Sequence, residues 1–176
     1  MKKKALFLDR DGTLIQHIPY LHRIEDIRLL LPVVTFARAY QERGYLPIMI
    51  TNQSGVARGM FDEETVQHVN AHVCKLLAAE GVFMQACYYC PHHPTKATIQ
   101  AYAVNCSCRK PLAGMLLQAA ADFEIDLNQS IMLGDSQCDL DAGRAAGCQV
   151  IHVAALQTDQ LILQAASEST FSQQKE

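Results

Sequence analysis

The sequence predicts an α/β protein in which a Rossmann-like parallel sheet has helices on both faces. Short, almost continuous apolar runs alternate along the chain with longer segments whose apolar residues recur at helical spacing. Continuous apolar runs are typical of parallel strands covered on both faces, and the helices that connect such strands produce the alternation. The 176 residues are enough for one full core, and neither an internal repeat nor a large cap domain is evident.

Each element follows from a local pattern. Strands are expected at residues 4–8, 45–51, 82–90, 130–135 and 148–153. Helices are expected at residues 30–44, 61–81, 111–125, 138–147 and 158–169. Pro32 and Pro111 suit the first turn of a helix, and Gly44 and Gly81 suit helix ends. We therefore expect a single domain over residues 1–166, with a polar insert at 90–109 and a flexible tail at 167–176.

Composition argues against several classes of protein. The formal net charge of -3 disfavours a nucleic-acid-binding protein. The basic start is followed only by the apolar run Ala5–Leu8 before Asp9, which is too short for a secretory signal. No later run approaches the ~20 apolar residues of a membrane span. We expect a cytoplasmic monomer that binds neither nucleic acid nor membranes.

Polar side chains follow three of the predicted strands at the point where each strand ends. They are Asp9 and Asp11 after the first strand, Thr51 and Ser54 after the second, and Asp135 after the fourth. Lys110 precedes the third helix. Because ligands of parallel sheets bind beyond the carboxyl ends of the strands, these acids, hydroxyls and the lysine are expected at one site.

Three aspartates at one sheet edge predict a magnesium site. Mg²⁺ is bound by a few carboxylates and keeps positions for water and phosphate oxygens. It would offset the repulsion between Asp9 and Asp11, so that one could attack phosphorus and the other could transfer a proton. Thr51 or Ser54 could bind the phosphoryl oxygens, and Lys110 could neutralise charge on the transferring group.

Four motifs in this order resemble the haloacid dehalogenase superfamily of phosphotransferases: "DRDGT", "TNQSG", the lysine of "RKP", and "LGDSQCD". The resemblance covers most of the chain and implies Mg²⁺-dependent hydrolysis of phosphomonoesters through an aspartyl-phosphate intermediate. It makes Asp9 the nucleophile and Asp11 the acid/base. It also implies that Thr51 and Lys110 stabilise the phosphoryl group. Mg²⁺ would be held by Asp9, the backbone carbonyl of Asp11, and Asp135.

The polar insert contains a cysteine cluster. "CYYCPHHP" and "NCSCRKP" supply two close pairs of metal-binding residues, Cys90 with His92 and Cys106 with Cys108. Such pairs, separated by a loop, are typical of a structural tetrahedral Zn²⁺ site. His93 is an alternative ligand, and a disulfide or unrelated free thiols are the alternatives to zinc. The remaining cysteines are expected to be small buried hydrophobes: Cys74, Cys87, Cys138 and Cys148.

Motifs in and near the insert also indicate a particular family within this superfamily. "YYCPHHP", "CSCRKP" and "TNQSGVARGMF" are similar to the D-glycero-D-manno-heptose 1,7-bisphosphate phosphatases of lipopolysaccharide biosynthesis, which remove the 7-phosphate. Zinc would then fix Arg109 and Lys110 over the phosphate site, with Arg109 on the phosphate that remains at C1. The resemblance and its motif positions suggest these substrate-binding residues: His17, Tyr20, Asn52, Gln53, Ser54, Arg58, Arg109 and Ser136.

Two positions differ from that family pattern. "HIPY" at 17–20 replaces an acidic, glycine-containing stretch, and Ser136 replaces a lysine. Arg58 and His17 are candidates to supply the missing positive charge. The alternative function is that of histidinol-phosphatase, a relative with the same aspartates and a similar zinc loop. A zinc-stabilised binding module without catalysis is a further alternative of another class.

Overall fold

A computed structural model describes residues 2–157 of the chain. The strands are β1 (Lys4–Leu8), β2 (Tyr45–Asn52), β3 (Ala86–Cys90), β4 (Ile131–Gly134) and β5 (Gln149–His152). The α-helices are α1 (Leu31–Glu42), α2 (Glu63–Ala79), α3 (Gly114–Phe123) and α4 (Gln137–Ala146). Short 3-10 turns lie at Ile24–Asp26, Gln100–Tyr102, Leu127–Gln129 and Val153–Gln157. The helix predicted at 158–169 and the tail at 167–176 lie outside the described residues.

The five strands form one parallel sheet in the order β3-β2-β1-β4-β5. Alternate residues of β1 point to opposite faces, so that Leu6 and Leu8 join one core cluster while Ala5 and Phe7 join another. The first cluster includes side chains of α1 and α2, and the second includes side chains of α3 and α4. The predicted fold class, with helices on both faces of a parallel sheet, is confirmed.

Two element boundaries differ from the prediction. The third strand begins at Ala86, not Val82, because Gln41 binds the backbone of Gly81 and Phe83 and holds this stretch as a loop. The third helix begins at Gly114, not Pro111. The backbone of residues 109–112 closes a turn, and the Gly114 N–H donates to the Ser107 carbonyl instead of continuing a helix.

No second sheet or separate cap lies between the strands in residues 2–157. The insert from residue 91 to 109 contains one 3-10 turn and otherwise irregular backbone. Over the same residues, every helix is too short or too polar to cross a lipid bilayer.

The cysteine expectations hold only in part. Cys148 is buried, as predicted. The prediction is wrong for Cys138, which is exposed in the first turn of α4. Cys74 and Cys87 are half-buried, and their sulfur atoms lie 3.3 Å apart.

Candidate active site

The parallel arrangement brings the ends of β1, β2 and β4 to one edge of the sheet. Asp9 follows β1 and extends the ladder, because its N–H donates to the Leu133 carbonyl of β4. Gly12 has a φ of +87°, and a Cβ at this position would overlap the carboxylate of Asp135. The glycine of "DRDGT" thus permits the close approach of Asp135, which follows β4.

Three carboxylates converge at this edge. Oxygens of Asp9, Asp135 and Asp139 all lie within 4.8 Å of one another. Asp139 was not among the residues predicted for the site, although it ends the quoted motif "LGDSQCD". Its position in the first turn of α4, four residues after Asp135, is the signal that could have identified it, because that turn brings its side chain back over the strand end.

Lys110 joins two of these carboxylates. Its Nζ lies 2.6 Å from Asp9 Oδ1 and 2.5 Å from Asp139 Oδ1, and it donates to the Ile50 carbonyl at 2.8 Å. The lysine is only 3% exposed. Water therefore screens this charge very little, and the interactions with both aspartates are strong.

Burial is the largest single influence on the pKa values of the ionisable side chains at this sheet edge. It raises the pKa of Asp9 to about 7, while Lys110 opposes the shift and the neighbouring Asp139 and Asp11 add to it. Burial and the charge of Asp139 also raise the pKa of Asp135. For Lys110, burial lowers the pKa, but the two carboxylates outweigh it and the net shift is upward. A bound cation would lower the carboxyl pKa values by favouring their charged forms.

Asp11 is held beside this cluster by two donors. Arg10, which is 1% exposed, donates to both carboxylate oxygens of Asp11 and, through Nη1, to Asn70 Oδ1 at 2.9 Å. The Gln53 side-chain amide donates to Asp11 Oδ2 at 2.8 Å and to Thr51 Oγ1 at 2.9 Å. Gln53 is therefore already bonded to protein groups, and Arg10 is a contributor that the sequence reasoning missed.

The end of β2 fixes the backbone next to the lysine. The Asn52 side chain donates to the Lys110 carbonyl at 3.0 Å and accepts from the Lys110 N–H at 3.1 Å. This paired contact joins residues that are far apart in the chain. It sets the position from which the Lys110 side chain enters the site.

A cavity of about 370 Å³ opens over the carboxylates. The predicted residues that line it are Asp9, Asp11, His17, Tyr20, Thr51, Asn52, Gln53, Ser54, Lys110, Asp135 and Ser136. Ser136 is the N-cap of α4, and its Oγ donates to Asp139 Oδ2 at 2.6 Å. His17 and Asp135 line the same cavity.

Two of the predicted residues, Arg58 and Arg109, are absent from that lining. Arg109 donates to the His92 carbonyl at 3.2 Å and lines a neighbouring cavity of about 450 Å³, which Lys110 also lines. Arg58 lies with its Cζ 5.6 Å from the Tyr20 ring. Burial lowers the pKa of His93, and the charges of Arg109, Arg58 and Lys96 lower it further. The three cations whose charges act on His93 are here named the basic rim: Arg58, Lys96 and Arg109.

The predicted zinc ligands also converge. Cys90 Sγ lies 3.1 Å from Cys108 Sγ, 3.5 Å from Cys106 Sγ and 3.7 Å from His92 Nδ1. His92 Nδ1 is 3.5 Å from Cys108 Sγ. The alternative, His93, instead accepts from the Lys96 N–H at 3.1 Å. The four ligand atoms thus form a compact group with His92, not His93, as its imidazole.

Comparisons with known proteins agree with this geometry. The HAD-hydrolase-like family model matches residues 107–171. A D-glycero-beta-D-manno-heptose-1,7-bisphosphate 7-phosphatase from Haemophilus ducreyi is 44% identical over 148 residues, which are 84% of this chain and 80% of the relative. The protein of the same name from Photorhabdus laumondii is 42% identical over 142 residues, covering 81% of this chain and 75% of the relative.

A solved structure is also similar. The D,D-heptose 1,7-bisphosphate phosphatase from B. bronchiseptica, complexed with magnesium and phosphate, is 32% identical and superposes with a TM-score of 0.72. The match covers 84% of this chain and 78% of that protein. Similarity of this extent, together with the shared sheet, establishes the relationship. The chain belongs to the D-glycero-D-manno-heptose-1,7-bisphosphate 7-phosphatase family of HAD-like phosphatases.

Proposed function

We propose that this chain removes the 7-phosphate of D-glycero-D-manno-heptose 1,7-bisphosphate through an aspartyl-phosphate intermediate on Asp9. The observation that supports it most directly is the buried Asp9 carboxylate, 2.6 Å from Lys110 Nζ at the floor of a cavity of about 370 Å³. Cavities of this size accept small-molecule ligands. The relatives described above provide the substrate class.

The chemistry has two displacements at phosphorus. In the first, the Asp9 carboxylate attacks phosphorus, the bond to the sugar oxygen breaks, and Asp11 donates a proton to the leaving oxygen. In the second, Asp11 accepts a proton from water, the water oxygen attacks phosphorus, and Asp9 is released with inorganic phosphate. Lys110 and Thr51 stabilise the charge of the transferring group. Gln53 and Arg10 orient Asp11 through the hydrogen bonds described above.

Magnesium fits the carboxylate group. Asp9, Asp135 and the backbone carbonyl of Asp11 would hold it, and it would supply positive charge beside the phosphoryl oxygens when bound. Both oxygens of Asp139 already have protein partners, Lys110 and Ser136. Asp139 is therefore proposed as the residue that positions Lys110, not as a metal ligand.

Zinc fits the cysteine group. A tetrahedron with Zn–S bonds of about 2.3 Å has edges of roughly 3.8 Å, close to the separations of 3.1–3.7 Å from Cys90 Sγ to the other three ligand atoms. Burial raises the pKa of Cys90, a cost that a cation would offset. We propose that Cys90, His92, Cys106 and Cys108 hold a structural Zn²⁺, which fixes the adjoining Arg109 and Lys110.

The basic rim favours a bisphosphate over histidinol phosphate. A second phosphate placed next to Arg58, Lys96 and Arg109 gains charge-assisted hydrogen bonds. Histidinol phosphate has instead a cationic amine, which these side chains would repel. The basic rim thus supports the proposal that Arg109 binds the phosphate that remains at C1. Arg58 would contribute a second positive charge, which this chain needs because it has Ser136 in place of the lysine of the family.

A substrate panel tests this assignment. Phosphate release would be compared for both anomers of the heptose bisphosphate, for fructose 1,6-bisphosphate and for histidinol phosphate, in wild type, Arg109→Ala and Arg144→Ala. We expect Arg109→Ala to lower kcat/KM about 10–100-fold on the heptose bisphosphate and much less on monophosphates. Arg144 is an exposed residue of the last turn of α4 and serves as the matched control. Equal losses on both ester types, or a preference for histidinol phosphate, would reject the heptose assignment and leave the phosphatase assignment standing.

A further inference from the structure

Four polar residues that form a stripe on one face of α2 contact β3, the polar insert and Arg10. Glu63, Gln67, Asn70 and Cys74 are spaced by four, three and four residues, so they lie on one face of the helix. Their partners are Tyr89 and Tyr102 for Glu63, Tyr89 for Gln67, Arg10 for Asn70, and Cys87 for Cys74. The same stripe therefore contacts β3, the polar insert and the arginine that holds Asp11.

The last contact of the stripe is a pair of thiols. Cys74 Sγ and Cys87 Sγ lie 3.3 Å apart, both residues are free cysteines, and both are half-buried. A disulfide bond is about 2.05 Å long, so bond formation requires the sulfurs to approach by roughly 1.2 Å. The hydrogen bond from Cys87 lowers the pKa of the Cys74 thiol, which makes Cys74 the readier nucleophile of the two.

We propose that Cys74 and Cys87 form an oxidisable dithiol, which hydrogen peroxide closes to a disulfide, and that this closure lowers phosphatase turnover. The Cys74 thiolate attacks a peroxide oxygen, the O–O bond breaks, and one water leaves after protonation, giving a sulfenic acid. The Cys87 sulfur then attacks the sulfenic sulfur, and the hydroxyl leaves as a second water. Two thiols lose two electrons and two protons in total, and one peroxide is reduced to two waters.

Disulfide formation would lower turnover by moving Asn70. Cys74 is one helical turn from Asn70, whose Oδ1 accepts from Arg10 Nη1 at 2.9 Å. Arg10 in turn donates to both oxygens of Asp11. The disulfide would pull α2 toward β3 and move Asn70 away from the buried guanidinium of Arg10. Because Arg10 also holds Asp11, the orientation of Asp11 would then change. Shifts of this kind in packed networks change activity on the order of 2- to 30-fold.

The test uses the intact protein with its metals bound and the phosphomonoester that it hydrolyses best. Wild type, Cys74→Ser, Cys87→Ser and the exposed-cysteine control Cys138→Ser are treated with hydrogen peroxide and then with a thiol reductant. A non-reducing digest is searched by mass spectrometry for a linked peptide pair containing Cys74 and Cys87. Turnover and zinc release are followed in the same samples. Alanine variants replace the serine variants if circular dichroism shows that serine prevents folding.

We expect the linked peptides, and a reversible loss of turnover by about threefold or more, in wild type and Cys138→Ser while zinc is retained. Cys74→Ser and Cys87→Ser should show neither effect. Three results would overturn the proposal: no Cys74–Cys87 link, a link that leaves turnover unchanged, or an equal loss of turnover in the Cys74→Ser protein. The last result would assign the loss to other thiols, including those of the proposed zinc group.

Discussion

Replacing Lys110 by methionine tests how the site tolerates its buried charges. Nζ lies 2.6 Å from Asp9 Oδ1 and 2.5 Å from Asp139 Oδ1, and the lysine is 3% exposed. Methionine has a similar length but no charge, so both carboxylates lose their shared cation. Removing one partner of a buried ion pair costs about 3–5 kcal/mol. Lys110 is proposed to stabilise the phosphoryl group, so the loss of its charge should also lower kcat by roughly 10²–10³.

The cost should depend on pH. The pKa of Asp9 is already raised from 3.8 to about 7, and removal of Lys110 raises it further. A carboxyl group whose pKa is higher in the folded state binds more protons there than in the unfolded chain. Its contribution to stability therefore falls as the pH rises from about 4 through 7. The loss caused by Lys110→Met should accordingly be larger at pH 8 than at pH 5.

Urea unfolding at pH 5 and pH 8, without added magnesium, measures the loss of unfolding free energy caused by Lys110→Met. Phosphate release in the presence of magnesium measures kcat. Lys75→Met is the control, because Lys75 is exposed on α2 and the same substitution there should change stability by no more than about 0.5 kcal/mol. If Lys110→Met were no more destabilised than Lys75→Met at pH 8, the reasoning from buried ion pairs would be refuted.

Three further predictions concern the nucleophile and the two proposed metal sites. Asp9→Asn should lower turnover by roughly 10³ or more and abolish the acid-stable phosphoenzyme in a single-turnover assay; a variant with a tenth of wild-type turnover would contradict the covalent route. Magnesium should raise Tm more at pH 8 than at pH 6 in scanning calorimetry, because protons compete for an Asp9 with a pKa of about 7; equal shifts would argue against Asp9 as a ligand. Tyr102→Phe removes a 2.7 Å hydrogen bond to Glu63, so it should weaken the anchoring of the insert by about 1 kcal/mol and speed zinc transfer to a chelator. An unchanged transfer rate would show that this bond does not hold the insert.

Short-range patterns predicted most of the fold and much of the candidate site. Apolar runs located all five strands, and parallel pairing then required Asp9, Thr51 and Asp135 to lie at the same sheet edge. The four residues of the proposed zinc group were also predicted from their spacing, since the two members of each pair, 90 with 92 and 106 with 108, are two residues apart in the chain. Boundaries were less predictable where a distant side chain decides them, as Gln41 does for the start of β3.

The sequence by itself determined the residue types, their order along the chain and the strand ends that bear them, because continuous apolar runs mark the strands and apolar residues at a spacing of about 3.6 mark the helices. Only the tertiary structure decided which groups pair. Lys110 binds Asp9 from 101 residues away, Asn52 holds the Lys110 backbone, and the sulfur of Cys74 faces that of Cys87. Such contacts depend on the register of neighbouring strands and on how each helix packs over the sheet. No local pattern encodes these quantities, because they result from packing the whole core at once.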